Sequence, residues 1–274
     1  MNDGRYSRQV WVPRFGEKSQ DALRRSSIGV VGAGGVKSPM LLYLTSAGVG
    51  KIRIIDFDRV EISNLNRQIL YGTSDVGAYK AEAAAVRLRD LNPEVEIEPI
   101  VARLDESNFN ALLGDCDLIV EGGDSGAARA TFNRCALREQ RTYVHASAHY
   151  NYAYVMTVVP GASACFECVF RDLPSSHGGA VPVIGTATAV SGSVAASEII
   201  SILRGAGPTL DRQMFFFDGW TNWATHLPNP RLSGCPGCGD MTSISPRLAN
   251  SDSEAAGPNH KHSPQDHDPR RAVT

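Results

Sequence analysis

Short apolar runs recur along the first half of the chain, separated by stretches in which charges return at helical spacing. Ser27-Ile28-Gly29-Val30-Val31 predicts a strand that leads into a glycine turn, Gly32-Ala33-Gly34-Gly35. The apolar segment from Lys37 to Ala47 predicts a helix stopped by Gly48 and Gly50. Lys51-Ile52-Arg53-Ile54-Ile55 predicts a second strand ending at Asp56. Tyr79 to Leu91 alternates alanine with charges at helical spacing, and Asn92-Pro93 stops it. Val95 to Val101 and Asp117 to Glu121 read as third and fourth strands, Ala127 to Gln140 as a helix, and Tyr143 to Ala146 as a short strand. Residues 5–25 are basic and mixed, with a helix around Lys18 to Arg25. Continuous apolar strands alternating with helices predict an α/β fold with a mostly parallel sheet covered on both faces.

The pattern changes near residue 150. Tyr152 to Val159 is rich in Tyr and Val and alternates weakly, which predicts an added antiparallel strand. Ile184 to Leu203 predicts a long helix of small residues, and Met214 to Asp218 another strand. One large domain over 1–239 is expected, with a first half at about 27–146 and a second at about 150–239. Residues 240–274 are Ser, Pro, Asp, His and Asn without apolar spacing and read as a disordered tail, with His260, His262 and His267 solvated.

Composition narrows the class. Of 274 residues, 42% are hydrophobic and 20% charged, as in a globular protein, and a net charge of −2 gives no reason to expect nucleic acid or an anionic membrane. The start, MNDGRYSRQVW, lacks the apolar core of a signal peptide, and no run of about 18 uncharged apolar residues occurs. Six cysteines, four of them in two C-x-x-C pairs, suit metal ligation in a reducing compartment, so the cytoplasm is the expected location. Cys165-Phe166-Glu167-Cys168 and Cys235-Pro236-Gly237-Cys238 together offer four thiolates for a tetrahedral zinc ion that clips the C-terminal end onto the domain; a redox pair or reactive thiol is the alternative. Cys116 and Cys135 read as core residues.

The glycine turn presents backbone N–H groups and a helix N-terminus to phosphates, and Asp56 stands where a ribose hydroxyl would be held. These features fit any Rossmann-like domain. Lys37 takes the sixth position of the fingerprint, where a dinucleotide site asks for glycine, and no Gly-Lys-Ser/Thr run exists. The turn is therefore phosphate-compatible, NAD is disfavoured, and this is not a P-loop. A polar stretch from Asp56 to Gln68 follows the second strand; Arg67 and Lys80 bring cations, and Asp124 offers a hard oxygen ligand suited to Mg²⁺.

With Arg5-Tyr6-Ser7-Arg8-Gln9, Gly32-Ala33-Gly34-Gly35, Asp56-Phe57-Asp58, Ser63-Asn64-Leu65-Asn66-Arg67-Gln68, Val76-Gly77 with Lys80, Leu91-Asn92-Pro93, Asp117 to Asp124 and both C-x-x-C pairs, the chain resembles the ubiquitin-activating-enzyme-like adenylyltransferases. The likeness is to the ThiF/MoeB/HesA type, above all the bacterial forms that adenylate sulfur-carrier proteins in molybdopterin and thiamine synthesis. It covers roughly residues 5–239. The resemblance implies that Gly32, Gly34 and Gly35 approach the nucleotide of ATP, with Asp56 on the ribose and Asp58 beside it. It implies that Asn64, Arg67 and Lys80 contact the triphosphate, that Asp124 holds Mg²⁺, and that Arg8 reaches into the neighbouring subunit of a homodimer. It also implies a structural zinc on Cys165, Cys168, Cys235 and Cys238. The expected reaction is in-line attack of a substrate carboxylate on the α-phosphorus with loss of pyrophosphate. Positioning and electrostatics supply the rate, and no base is needed for an ionised carboxylate.

Two departures from the family stand out. Many relatives carry a cysteine on the loop between the zinc knuckles, whereas Pro174-Ser175-Ser176-His177-Gly178-Gly179-Ala180 has none. His177 is then a proton shuttle, a contact to the acyl group or a solvated loop histidine, and Ser175 and Ser176 are further acceptors to weigh. Lys37 either adds charge near the phosphates or points to solvent from the helix start. The leading reading is adenylation of the C-terminal carboxylate of a small ubiquitin-like or sulfur-carrier protein. Its rivals are a tailoring adenylyltransferase acting on a ribosomal precursor peptide, a non-catalytic nucleotide-binding scaffold in a heterodimer, and, last, a NAD-dependent oxidoreductase.

Overall fold

A computed structural model describes residues 4–123, 125–170 and 182–239. Asp124, the loop with Ser175, Ser176 and His177, and the expected tail at 240–274 lie outside the described residues. In chain order the elements are α1 (Ser7–Val10), α2 (Gly16–Arg25), β1 (Ser27–Val31), α3 (Lys37–Ala47), β2 (Lys51–Ile55), α4 (Lys80–Leu91), β3 (Glu96–Ile100), α5 (Phe109–Leu113) and β4 (Leu118–Glu121). They continue with α6 (Gly126–Arg138), β5 (Tyr143–His149), β6 (Tyr152–Val158), α7 (Phe166–Val169), α8 (Gly185–Leu203), β7 (Gln213–Asp218) and β8 (Trp223–Pro228).

The strands form one sheet in the order β3-β2-β1-β4-β5-β6-β7-β8. Pairings from β3 to β5 are parallel; those from β5 onward are antiparallel, with Tyr143 opposite Val158 and Tyr152 opposite Asp218. Alternate residues enter two cores. Ile28, Val30, Ile52, Ile54, Leu118, Val120 and Val144 pack under α3, α4 and α8. Ile119, Tyr143, Met156 and Val158 pack on the other face against Phe109, Phe132 and the four-cysteine region. Burial on both faces explains why these strands read as unbroken apolar runs.

Helix α3 tolerates Pro39 because it sits in the first turn, where its missing N–H has no partner to lose. Gly48 ends it in the left-handed region at φ 80°, with its N–H returned to the last carbonyls. Helix α8 lies against α3, and Gly192 lets them close: a Cβ there would come within 2.3 Å of the Val36 carbonyl oxygen. By length and composition α8 could cross a membrane, yet half of it is buried inside the fold. It also carries a buried acid, Glu198. Glu198 Oε1 accepts from Thr157 Oγ1 at 2.6 Å and from the backbone N–H groups of Thr209 and Leu210 at 2.9 Å each. Its other oxygen accepts from Thr209 Oγ1. These bonds tie α8 to β6 and to the segment entering β7.

Four elements escape the sequence pattern, among them α7, a single turn that starts inside the first C-x-x-C pair. α1 and α5 are too short to show a period, and β8, Trp-Ala-Thr-His-Leu-Pro, is an edge strand exposed along most of its length. β5 runs three residues past its expected end, to His149, because Ala146 to His149 pair with Val155 to Tyr152 of β6.

Replacing Glu198 with Ala strands two hydroxyls and two N–H groups near the core. We expect a loss of about 3 kcal/mol, read as a lower urea midpoint with an unchanged m-value; an unchanged midpoint would mean those donors find water.

Candidate functional site

The strand order reverses direction between β1 and β4, and in open α/β sheets the crevice at the carboxyl ends of such a pair takes the ligand. Gly32 leaves β1 at φ 79°, and a Cβ on it would lie 3.1 Å from the Gly122 carbonyl oxygen. A Cβ on Gly122 would lie 1.6 Å from the Val31 carbonyl oxygen, which no side chain survives. Two glycines thus let the chain leave both strands in contact before parting.

A cavity of about 360 Å³ opens between them, with Gly32, Asp56, Phe57, Asp58, Gly122 and Gly123 among its lining. Asp56 is buried; one carboxylate oxygen accepts the Ala33 N–H at 2.7 Å and the other the Asp58 N–H at 2.8 Å. Burial pulls its pKa up, and those two donors oppose the rise. Asp56 therefore fixes the glycine turn while lining the cavity. At the rim the Arg103 guanidinium lies over the Phe57 ring at 4.9 Å, a flat platform suited to a purine. Nothing in the sequence spacing marks Arg103.

Of the other residues singled out, Lys80 is almost wholly buried and its Nζ meets Asp58 Oδ2 at 2.9 Å. Asn64 is buried in a turn, its Oδ1 accepting the Glu61 N–H at 3.2 Å. Arg67 folds back on that turn, Nη1 donating to Ser63 O and Asn66 Oδ1, beside Gly35. Gln68 is buried next to Gly34, and its Oε1 has no hydrogen-bond partner among the described residues. Arg8 is exposed and stacks on Trp11. Its helix is tied by Gln9 to the last turn of α3, at the amino end of β2 and so at the opposite end of the strands from the cavity, and it is not brought to its own chain's cavity.

Lys37 corrects an expectation. It does not point to solvent: it is 5% exposed, its Nζ donates to the Ala146 carbonyl at 3.3 Å, and its Cε lies 3.3 Å from where a Cβ on the cavity-wall residue Gly122 would stand. Burial lowers its pKa to about 8, with Arg129 acting in the same direction and Glu121 against it. Glu121 accepts from the Gly123 N–H through Oε1 and from His145 Nδ1 through Oε2 at 2.7 Å. Burial alone would raise the acid, but the His145 bond and the nearby cations hold it well below the usual carboxylate range. Burial pushes the His145 pKa down against the pull of Glu121, and the carboxylate facing Nδ1 favours the tautomer with its proton there. Its Nε2 then accepts from Ser147 Oγ at 3.2 Å.

Cys165, Cys168, Cys235 and Cys238 are buried, with every Sγ within 4.8 Å of the others. Neighbouring sulfurs lie 3.4–3.8 Å apart, the edge length that four bonds of about 2.3 Å to one tetrahedral ion require. The four can therefore hold a metal ion. Asn133 and Arg134 brace the first pair by donating to Glu167. Cys116 and Cys135 are buried in the core of the same face, as expected.

Comparison with known proteins agrees with this geometry. The ThiF family model matches residues 6–237. A SAMP-activating enzyme E1 of Haloferax volcanii is 34% identical over 242 residues, spanning 86% of this chain and 88% of its own. A sulfur carrier protein adenylyltransferase of Thermus thermophilus is 37% identical over 247 residues, spanning 86% and 90%. Among solved structures, E. coli MccB with MccA-N7isoASN superposes with a TM-score of 0.78 over 88% of this chain and 75% of that one; at 22% identity it speaks for the fold alone.

The buried lysine generates a test. The unfolded chain keeps the Lys37 proton up to about pH 10.5, the folded chain only to about 8. Between those values the unfolded state binds more protons, so stability rises with pH. The stability advantage of Lys37→Met over wild type should shrink by up to about 3 kcal/mol from pH 7.5 to 10.5, measured by urea unfolding. A gap that does not change with pH would contradict a buried ammonium.

Proposed function

On the premise that the chain belongs to the ThiF family of adenylyltransferases, we propose that it uses ATP to adenylate the C-terminal carboxylate of a small ubiquitin-like or sulfur-carrier protein, releasing pyrophosphate. The observation that carries this reading is the cavity at the β1–β4 switch point, walled by the glycine turn and by Asp56, with Lys80 and Asp58 paired beside it.

The base is proposed to stack on Phe57 and Arg103, and the ribose to bond Asp56, whose oxygens keep lone pairs beyond the two backbone bonds. The α3 N-terminus and the N–H groups of Gly34 and Gly35 are proposed to meet the phosphates, since the Gly32 and Ala33 N–H groups are already donated to Ile55 O and Asp56. Lys80, freed from part of its pairing with Asp58, and Arg67, swung out from its turn, stabilise the charge that grows on the α-phosphoryl oxygens. Asn64 and the buried Gln68 shape the turn that presents them. Mg²⁺ is assigned to Asp124 on the sequence alone and would neutralise the departing pyrophosphate. The four cysteines are proposed to hold structural zinc, whose spacing they match. Arg8, remote from its own cavity, is proposed to serve the site of a second copy in a homodimer, in the cytoplasm.

Pyrophosphate exchange into ATP tests the reading directly. Exchange should appear only when a carrier protein with an exposed Gly-Gly tail is added, and Asp124→Ala should lower it at least 100-fold. Exchange with a short precursor peptide but with no carrier would move the substrate to peptides. ATP binding without exchange on any carboxylate would leave a scaffold.

A further inference from the structure

The face of β5 that looks toward α6 and α7 carries His145, Ser147 and His149 at alternate positions. With Glu121 at the end of β4 they form a row that runs from the sealed interior toward the carboxyl end of β5. Glu121 is 2% exposed, His145 0% and Ser147 9%, while His149 is half-buried against Tyr150 and Tyr154. Within the row, Glu121 Oε2 meets His145 Nδ1 at 2.7 Å and His145 Nε2 meets Ser147 Oγ at 3.2 Å. An acid that fixes one imidazole nitrogen, a second nitrogen free to accept, and a hydroxyl donating to it are the arrangement that makes a serine nucleophilic.

Its placement matters as much as its geometry. The same Glu121 that orients His145 accepts the Gly123 N–H through its other oxygen, and Gly123 is wall of the nucleotide cavity. Lys37 holds the Ala146 carbonyl, the peptide between the base and the hydroxyl. A purely structural polar bridge between β4 and β5 would need only the Glu121–His145 contact; Ser147 extends it toward the carboxyl end of β5, the end of the parallel strands at which the cavity opens.

We propose that Ser147 is an acyl acceptor for the adenylate made in the neighbouring cavity, an inference that rests on the adenylation reading above. Ser147 Oγ attacks the acyl carbon and passes its proton to His145 Nε2. The C–O bond to AMP breaks, AMP leaves with the bonding electrons, and an ester forms on Ser147. Glu121 steadies the imidazolium. The ester carries the acyl group to a later amine acceptor while AMP departs, so the chain holds its product covalently between the two half-reactions.

The test mixes the full chain with ATP, Mg²⁺ and a Gly-Gly-tailed carrier, follows pyrophosphate exchange, and reads acid-quenched samples by intact mass. Wild type should show an adduct of the carrier less one water, cleaved by hydroxylamine but stable to dithiothreitol, and mapping to Ser147 by peptide digestion. Ser147→Ala should lack it. Ser147→Cys should instead give an adduct cleaved by dithiothreitol, the signature of a thioester at the same place, and His145→Gln should slow adduct formation about 100-fold. Exchange without an adduct in wild type and Ser147→Cys, or an adduct at another residue, overturns the proposal while leaving adenylation standing. Absence of exchange in wild type overturns adenylation itself, and the proposal with it.

Discussion

Everything at the working end of this sheet depends on two backbones touching where β1 and β4 part. Gly122 lies so close to the Val31 carbonyl that no Cβ fits between them, and Gly32 turns away from Gly122 through the left-handed region. Because the contact is backbone on backbone, its position is fixed by the sheet and not by rotamers. From it follow the cavity, the direction of the glycine turn and the height at which Asp56 closes that turn through the Ala33 and Asp58 N–H groups. A nucleotide placed here would meet N–H groups already aimed, which is the pre-organisation that charge stabilisation requires.

Behind the cavity the chain tolerates a concentration of buried charge. Among the described residues Lys37 makes one hydrogen bond, to a carbonyl, in a region where an ammonium is held only to about pH 8. Glu121 offsets it, and Glu121 in turn is held by Gly123 and His145. Isolated, each charge would cost several kcal/mol; together they make a network that spans α3, β4 and β5 and touches the wall of the cavity. Glu198 solves the same problem differently, with four neutral donors and no cation among the described residues. The first arrangement is coupled to the site, the second braces the α8 layer.

The sequence is most legible where structure is local. β1, α3 and β2 have the bounds read from their apolar runs, since glycine and the strand-end Asp punctuate them. β8 is illegible because an exposed edge strand needs no apolar face, and β5 runs on past its pattern because its partner, not its own residues, extends it. In the site, motif spacing marks Gly32, Asp56 and Asp58, all of which line the cavity. It could not say where Lys37 points, because that depends on Ala146 and Glu121, far off in the chain. It did not mark Arg103, which meets Phe57 only through the approach of the segment after β3 to the end of β2. The Glu121–His145–Ser147 row is invisible for the same reason: its parts come from neighbouring strands.

The central claim is that a carboxylate attacks the α-phosphorus of ATP in the β1–β4 crevice. The most direct test labels the C-terminal carboxylate of a Gly-Gly-tailed carrier with oxygen-18 and follows the label through one turnover with ATP. Attack at the α-phosphorus predicts one labelled oxygen in AMP and none in pyrophosphate or inorganic phosphate. Label in inorganic phosphate, with ADP as the nucleotide product, would show activation as an acyl phosphate and contradict the account.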